Sequence, residues 1–274
     1  MHLSGLFIYP VKSLAGISLN TAEIDAAGLV HDRRFMVIDD NDRFLTQRTL
    51  PRMALIATEL TPADLVLRAP AQSACMVPLI ATTTPIKRSV SIWKSAGLIA
   101  EDCGDEPAQW LSSFLRATCR LVRIGKDFHR PVQNLKKARF GDVVAFADGY
   151  PFLAIGESSL ADLNDRLAES GEEAVPMNRF RPNLVISGSS PFAEDSWQRF
   201  QIGSVTFRAA GPSERCVITT TDQSTAERGR EPLRTLATYR RSHSDNTAIL
   251  FGQNFIHESK FGTLRLGDPV TIVE

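Results

Sequence analysis

Between residues 1 and 102 short apolar runs alternate with polar breaks. The spacing predicts strands over 3–10, 16–24, 34–39, 43–46, 55–60, 65–69, 77–80, 87–92 and 98–102. Asp39-Asp40-Asn41 and Thr61-Pro62-Ala63-Asp64 supply turns between them. Many short strands at such close spacing point to a barrel or a rolled sheet. The period then changes. Over 105–116, Trp110, Leu111, Phe114 and Leu115 share one helical face, and Pro107 falls in the first turn, where its missing N–H is harmless. A strand is expected over 121–124 and a polar, basic loop over 125–141. Leu160, Leu163 and Leu167 form the clearest helical stripe. Ser158 or Ser159 opens that helix, Asp162 stands three residues after Ser159, and Gly171 ends it. Further strands are predicted over 180–187, 200–209, 216–221, 248–256 and 263–273, with a short helix over 232–240 opened by Pro232. Gly141-Asp142, Gly203-Ser204 and Gly267-Asp268 read as tight turns feeding strands. The boundary between the two β-rich halves is expected near 124–141.

Composition narrows the class. A chain of 274 residues can bury a sizeable core, and 43% apolar with 23% charged residues is the balance of a folded protein. Lys plus Arg equals Asp plus Glu at 31 each. No global field therefore draws the chain to nucleic acid or an anionic surface, and a nucleic-acid partner is not expected. Basic residues do crowd locally, over 120–137 and 228–241. Residues 1–19 lack a basic stretch followed by an apolar run and a cleavage site, and no apolar run approaches ~18 residues, so a cytoplasmic chain without a membrane span is expected.

The four cysteines, Cys75, Cys103, Cys119 and Cys216, are far apart and form no CxxC pair, which argues against a metal cluster or a disulfide framework and for a reducing compartment. Cys216 stands out among them. It follows Gly211-Pro212-Ser213-Glu214-Arg215 and opens a β-branched run. A thiol there, beside Arg215, would have a lowered pKa and could serve as a soft metal ligand; the plainer alternative is a buried thiol packing as a small apolar group. Asn178, Arg179, Arg181 and Asn183 flank the start of a strand, where guanidinium and amide groups can clamp an anion or a heterocycle edge, or simply make loop turns. Lys12 and Ser13 leave the first strand and could hold a phosphate. Ser158 and Ser159, at a helix N-terminus, offer a second anion site through free N–H groups, or act as caps. The five histidines show no zinc-type pairing, and the Gly-rich loops of nucleotide enzymes are absent.

Several of these segments, in order, resemble one family. Tyr9-Pro10-Val11-Lys12-Ser13 and Asp32-Arg33-Arg34-Phe35 resemble the N-terminal β-barrel that accompanies MOSC domains. Phe180-Arg181-Pro182-Asn183, Ala193-Glu194-Asp195-Ser196-Trp197, Arg215-Cys216 with Thr219-Thr220-Thr221-Asp222, Glu231-Pro232-Leu233, residues 250–255 and Gly267-Asp268-Pro269-Val270 resemble the MOSC domain itself. The likeness extends over nearly the whole chain and is similar to the amidoxime-reducing component and YcbX-like members.

That resemblance implies an α+β, mostly β fold of two β-barrel-like domains, 1–124 and 125–274, with molybdopterin held between them. It implies Cys216 as the protein's molybdenum ligand and catalytic residue. Lys12, Ser13, Arg181, Arg215, Ser159, Ser158 and Asn178 become candidate cofactor contacts. Asp32-Arg33-Arg34-Phe35 carries one Arg more than the family's Asp-Arg-Phe, so Arg33 and Arg34 both stand as candidates. The implied reaction is reduction of N-hydroxylated compounds such as hydroxylamines and amidoximes by a molybdenum-dependent oxidoreductase. The chain ends at Glu274 without a ferredoxin-type cysteine run, so electrons are expected from a separate ferredoxin- or cytochrome b5-like donor with its reductase. The basic stretch 120–137 is a candidate docking surface for an acidic redox protein. The alternative function is a non-catalytic carrier of sulfur or molybdenum cofactor through Cys216.

Overall fold

The computed structural model describes residues 1–134 and 136–274. An eight-stranded sheet dominates it, in the order Val270–Ile272, Arg199–Ile202, Val205–Glu214, Leu250–His257, Phe152–Gly156, Leu184–Ser187, His2–Ile8, Ile17–Ser18. Phe152–Gly156 and Leu184–Ser187 run parallel, and the amphipathic helix Glu157–Glu169 is the crossover that parallel neighbours require. His2–Ile8 pairs antiparallel with Leu184–Ser187, so the first strand of the chain completes the sheet of its second half. The exchange is mutual: Gly262–Arg265, near the C-terminus, pairs with Thr21–Asp25. A four-stranded sheet, Phe35–Ile38, Arg120–Ile124, Ser95–Asp102, Lys87–Ile92, and a three-stranded one, Ala57–Leu60, Asp64–Arg68, Cys75–Pro78, build the rest of the first half. The fold is thus mostly β, with curled sheets in both halves. Among the described residues no helix is long and apolar enough to cross a membrane.

The two largest apolar clusters sit on either side of the seam. Under the large sheet, Phe200 stacks on Phe207 at 5.0 Å and meets Phe255 edge-on at 4.8 Å, beside Trp197 and Phe152. The other gathers Phe35, Val37, Met53, Leu65, Leu67 and the inner face of helix Asp105–Leu115, where Leu111, Phe114 and Leu115 point as the sequence period requires.

Six predicted strands need correction. The 16–24 run divides into Ile17–Ser18 and Thr21–Asp25, and the 263–273 run into Gly262–Arg265 and Val270–Ile272, each pair split between two sheets. The 216–221 run is not a strand: Val217–Thr220 is a 3-10 helix with Cys216 at its N-cap. The Thr219 and Thr220 hydroxyls donate back to the carbonyls of Cys216 and Val217, at 3.0 and 2.9 Å, which closes a turn that β-branched composition alone would not suggest. Residues 43–46 hold only two isolated bridges, Arg43 with Ser91 and Phe44 with Ile38, because Thr46 opens a turn that accepts from Thr49 and Leu50. The 200–209 run is a hairpin that folds back at Gly203-Ser204. The 180–187 strand starts late, at Leu184, since Arg181 is left-handed and Pro182 has no N–H to give.

Phe200 is fully buried at the centre of its cluster. Phe200→Ala should destabilise the chain by about 3–5 kcal/mol, read as a fall in the urea midpoint at unchanged slope. A loss under ~1 kcal/mol would show that this cluster does not anchor the sheet.

Candidate functional site

Tyr9 is where three distant segments meet. Its N–H donates to Asp32 Oδ1 at 2.8 Å, its carbonyl accepts from the Arg33 N–H at 2.8 Å, and its phenol donates to the Pro182 carbonyl at 3.1 Å. Two more backbone bonds lace the first pair of segments, Phe35 N–H to Pro10 at 3.0 Å and Lys12 N–H to Phe35 at 2.8 Å. The guanidinium groups of Arg33 and Arg181 each stand 4.2 Å from the Tyr9 ring centre. Arg33 Nη1 donates to both oxygens of Asp32, at 2.7 and 2.6 Å, and its Nη2 reaches the Arg181 carbonyl at 3.3 Å.

Around this joint opens a cleft of about 490 Å³ between the two halves. Six cationic side chains line it, Lys12, Arg33, Arg48, Arg179, Arg181 and Arg215, against two carboxylates, Asp148 and Glu214. Ser13, Arg33 and Arg181 all adopt positive φ, of 67°, 48° and 57°. A non-glycine residue in that region costs on the order of 1–3 kcal/mol, and such residues collect where the surroundings enforce an exact side-chain direction.

The cations differ in how they are satisfied. Lys12 pairs with Asp148, which also accepts from Trp93 Nε1 at 3.2 Å and lies 3.6 Å from Arg48. Burial pulls the Lys12 ammonium below its ordinary value, and Asp148 opposes this only in part. For Asp148 desolvation acts upward, but Lys12, then Arg48 and Trp93, outweigh it and hold the carboxyl well below the usual range. Its side chain is still 55% accessible, so concave walls and not close packing desolvate it. Arg130, 2% exposed, fixes this wall by donating to the carbonyls of Ala145, Ala147 and Asp148.

Arg181 and Arg215 have no carboxylate partner among the described residues. Arg215 donates to Ser213 Oγ at 2.7 Å and to the Phe180 carbonyl at 2.6 Å, and its buried Nε has no partner. Arg181 rests on the Tyr9 ring. Burial brings both guanidiniums down to about 10 and pushes the Tyr9 phenol up to about 12. At neutral pH the arginines stay charged and the phenol stays neutral. Uncompensated positive charge in a partly dry cleft demands an anion.

Of the four cysteines, Cys216 lines this cleft. Cys75 and Cys119 are buried in the core of the first half, and burial pushes Cys75 up to about 11 and half-buried Cys103 up to about 12.

The structure therefore brings together Lys12, Ser13, Arg33, Arg181, Arg215 and Cys216. It places four other candidates away from the cleft lining. Arg34 turns to Asp25, bonding both its oxygens at 2.7 and 2.8 Å. Asn178 is exposed on the short helix Met177–Arg179. Ser158 is half-buried with an unpartnered hydroxyl. Ser159 is fully buried, donating to Glu194 Oε2 at 2.9 Å and accepting from the Phe192 N–H. The same carboxylate takes the Gly156 N–H at 3.1 Å, so the helix start already has a resident acid where an added anion was expected.

The basic stretch 120–137 divides: its arginines are paired or buried, while Lys126, Lys136 and Lys137 are exposed. Arg120 pairs with Asp102 and Asp105, Arg123 with Glu101, and Arg130 is buried. Sequence reading missed Arg48, Asp148, Arg130 and the stacking role of Tyr9; the one available signal was that Tyr9 opens the Tyr-Pro-Val-Lys-Ser motif.

A model of the MOSC N-terminal beta barrel domain matches residues 1–118 and one of the MOSC domain matches residues 141–271. The chain belongs to the MOSC family, in the form that carries both domains. Within that family it is similar to mitochondrial amidoxime-reducing component 1 of Mus musculus, 38% identical over 98% of this chain and 81% of that protein. The Homo sapiens protein of the same name is 38% identical over 98% of this chain and 82% of its own length. A molybdenum cofactor sulfurase of Danio rerio is 33% identical over 94% of this chain but only 32% of its own length.

Thiolate is the nucleophile in alkylation, and buried thiols with raised pKa supply little of it. Iodoacetamide at pH 8 should label the native chain at Cys216 first, with Cys75, Cys103 and Cys119 modified only after unfolding. Peptide mass mapping would read this, and early labelling at Cys75 or Cys119 would contradict the burial described.

Proposed function

We propose that this chain is a molybdenum-cofactor oxidoreductase that reduces N-hydroxylated compounds, with Cys216 as the metal's protein ligand. The observation that carries the reading is a cationic cleft with two carboxylate-free guanidiniums, Arg181 and Arg215, and a cysteine in the same lining. The residues fit a phosphorylated, dithiolene-bearing pterin. Arg181 and the unpartnered Arg215 Nε offer donors to anionic or amide groups, Lys12 and Ser13 to phosphate oxygens, and Cys216 a soft sulfur. Among the described residues no group of three or more His, Cys, Asp or Glu could hold a metal ion alone. One protein thiolate suits a metal whose other ligands arrive with the cofactor. The relatives named for amidoxime reduction support the substrate class.

When bound, molybdopterin supplies reversible two-electron chemistry at its metal. Removing the hydroxyl oxygen of R–NHOH as water, to leave R–NH2, consumes two electrons and two protons. The chain's own residues orient and desolvate. Arg33, held by Asp32 and by the Arg181 carbonyl, fixes the Arg181 segment, and Tyr9 holds the Arg181 guanidinium in the cleft lining. Arg130 holds the Asp148 segment in place, and Asp148 favours the charged form of the Lys12 ammonium against its burial. Electrons come from a separate donor protein, of ferredoxin or cytochrome b5 type with its reductase.

The test is the metal content of protein made in a host that synthesises the cofactor. Wild type should hold about one molybdenum per chain, Cys216→Ser should lose benzamidoxime reduction, and Arg181→Ala should retain less than about a tenth of the metal, as loss of a desolvated charged contact implies. A folded wild-type chain without molybdenum would sink the proposal.

A further inference from the structure

Gln47 belongs to none of the sequence motifs, yet it is fully buried at the seam between the halves. A buried carboxamide must find partners for two donor hydrogens and an acceptor oxygen. Its Nε2 donates to the Ser13 carbonyl at 2.9 Å and to Gln223 Oε1 at 3.0 Å. Its Oε1 accepts from Gln223 Nε2 at 2.9 Å, and Gln223 gives its other hydrogen to the Thr221 carbonyl at 3.1 Å. All four amide hydrogens are used, and turning either amide over would set donor against donor. Arg228 closes the seam by donating to the carbonyls of Gln47 at 2.6 Å and Arg48 at 3.2 Å.

The ends of this chain of bonds are what matter. Ser13 follows Lys12 and sits at φ 67°, so its carbonyl direction depends on what receives it. Thr221 ends the 3-10 turn that Cys216 opens. Thr46 and Arg48, on either side of Gln47, line the cleft. One amide pair thus connects the lysine wall to the cysteine wall. A neutral pair adds no charge to a cleft that already holds six cations, and salt does not screen it as it would an ion pair.

We infer that Gln47 is a positioning residue: through Gln223 it sets the spacing of Lys12 and Ser13 against the Cys216 turn, and so how firmly the cleft retains a ligand that touches both walls. The ligand's identity rests on the proposed cofactor reading; the coupling of the walls does not.

The test uses Gln47→Leu, Gln223→Leu and the double variant, which remove the amide bonds at similar volume. Two quantities are read: hydrogen exchange at the Thr219 and Thr221 amides, which donate to Cys216 and Ile218 at 3.0 Å each, and molybdenum retained during long dialysis. Each single variant should speed exchange at both amides and speed metal loss by about tenfold, the scale of one to two net hydrogen bonds. The double variant should cost less than the sum of the two singles, since the Gln47–Gln223 contact is lost in each of them. Gln223 is only half-buried, so its variant keeps the test alive if Gln47→Leu fails to fold. Unchanged exchange in Gln223→Leu would overturn the inference. So would faster exchange with unchanged retention, which leaves Gln47 a packing role. A wild-type chain lacking molybdenum would end the cofactor reading alone, and exchange at Thr219 and Thr221 would still decide whether the walls are coupled.

Discussion

Two guanidinium groups against one phenol ring would drift apart in water. Here Arg33 and Arg181 are held 4.2 Å from the Tyr9 ring, and the means of holding them is the architecture of the cleft. A cation on an aromatic face gains on the order of 0.5–2 kcal/mol, more when desolvated. That gain has to offset the repulsion of like charges and the left-handed backbone at both arginines. Asp32 neutralises Arg33 and at the same time caps the Tyr9 N–H, so one carboxylate serves the charge and the backbone. Arg181 receives no such partner. The asymmetry leaves one guanidinium balanced by a carboxylate and one without a carboxylate in the wall of the cleft.

That joint requires the interlocking of the halves. Tyr9 and Lys12 follow a strand that lies in the second half's sheet, while Arg33 hangs from the first half and Arg181 precedes the strand against which His2–Ile8 is paired. A shift of one residue in that pairing would turn Leu3 and Leu6 away from the core and move Tyr9 off both guanidiniums. Register in the sheet and charge placement in the cleft are therefore one constraint.

Sequence pattern carried the fold further than the site. The helix Glu157–Glu169 was legible because its Leu residues recur at the helical period, and the turn at Thr61-Pro62-Ala63-Asp64 because those residue types make their own bonds. The run after Cys216 was not. Its threonines satisfy neighbouring carbonyls three residues back, and β-branched composition cannot announce that choice. Ser159 shows the limit more sharply. A hydroxyl at a helix start is a fair anion site until Glu194, 35 residues further on, places a buried carboxylate there. Likewise Arg120 and Arg123 looked like free surface cations because their acids, Asp102, Asp105 and Glu101, lie on another strand and at a helix start. Local patterns show which groups exist; they do not show which have already been paired across the fold.

Pairing also explains why the cleft singles out Cys216. The other thiols lie among apolar neighbours whose burial suppresses ionisation, so they can pack but scarcely react. Cys216 instead follows a polar, Gly-Pro-rich segment, caps a turn, and shares its wall with Arg215, whose own donors are only partly used. The cleft sets two guanidiniums without carboxylate partners, Arg181 and Arg215, in the same lining as the sulfur of Cys216. A simple anion would satisfy the cations and leave the sulfur idle, and a bare metal ion would meet the sulfur but be repelled by the cations. A ligand that joins a soft metal to a phosphorylated, hydrogen-bonding body satisfies both.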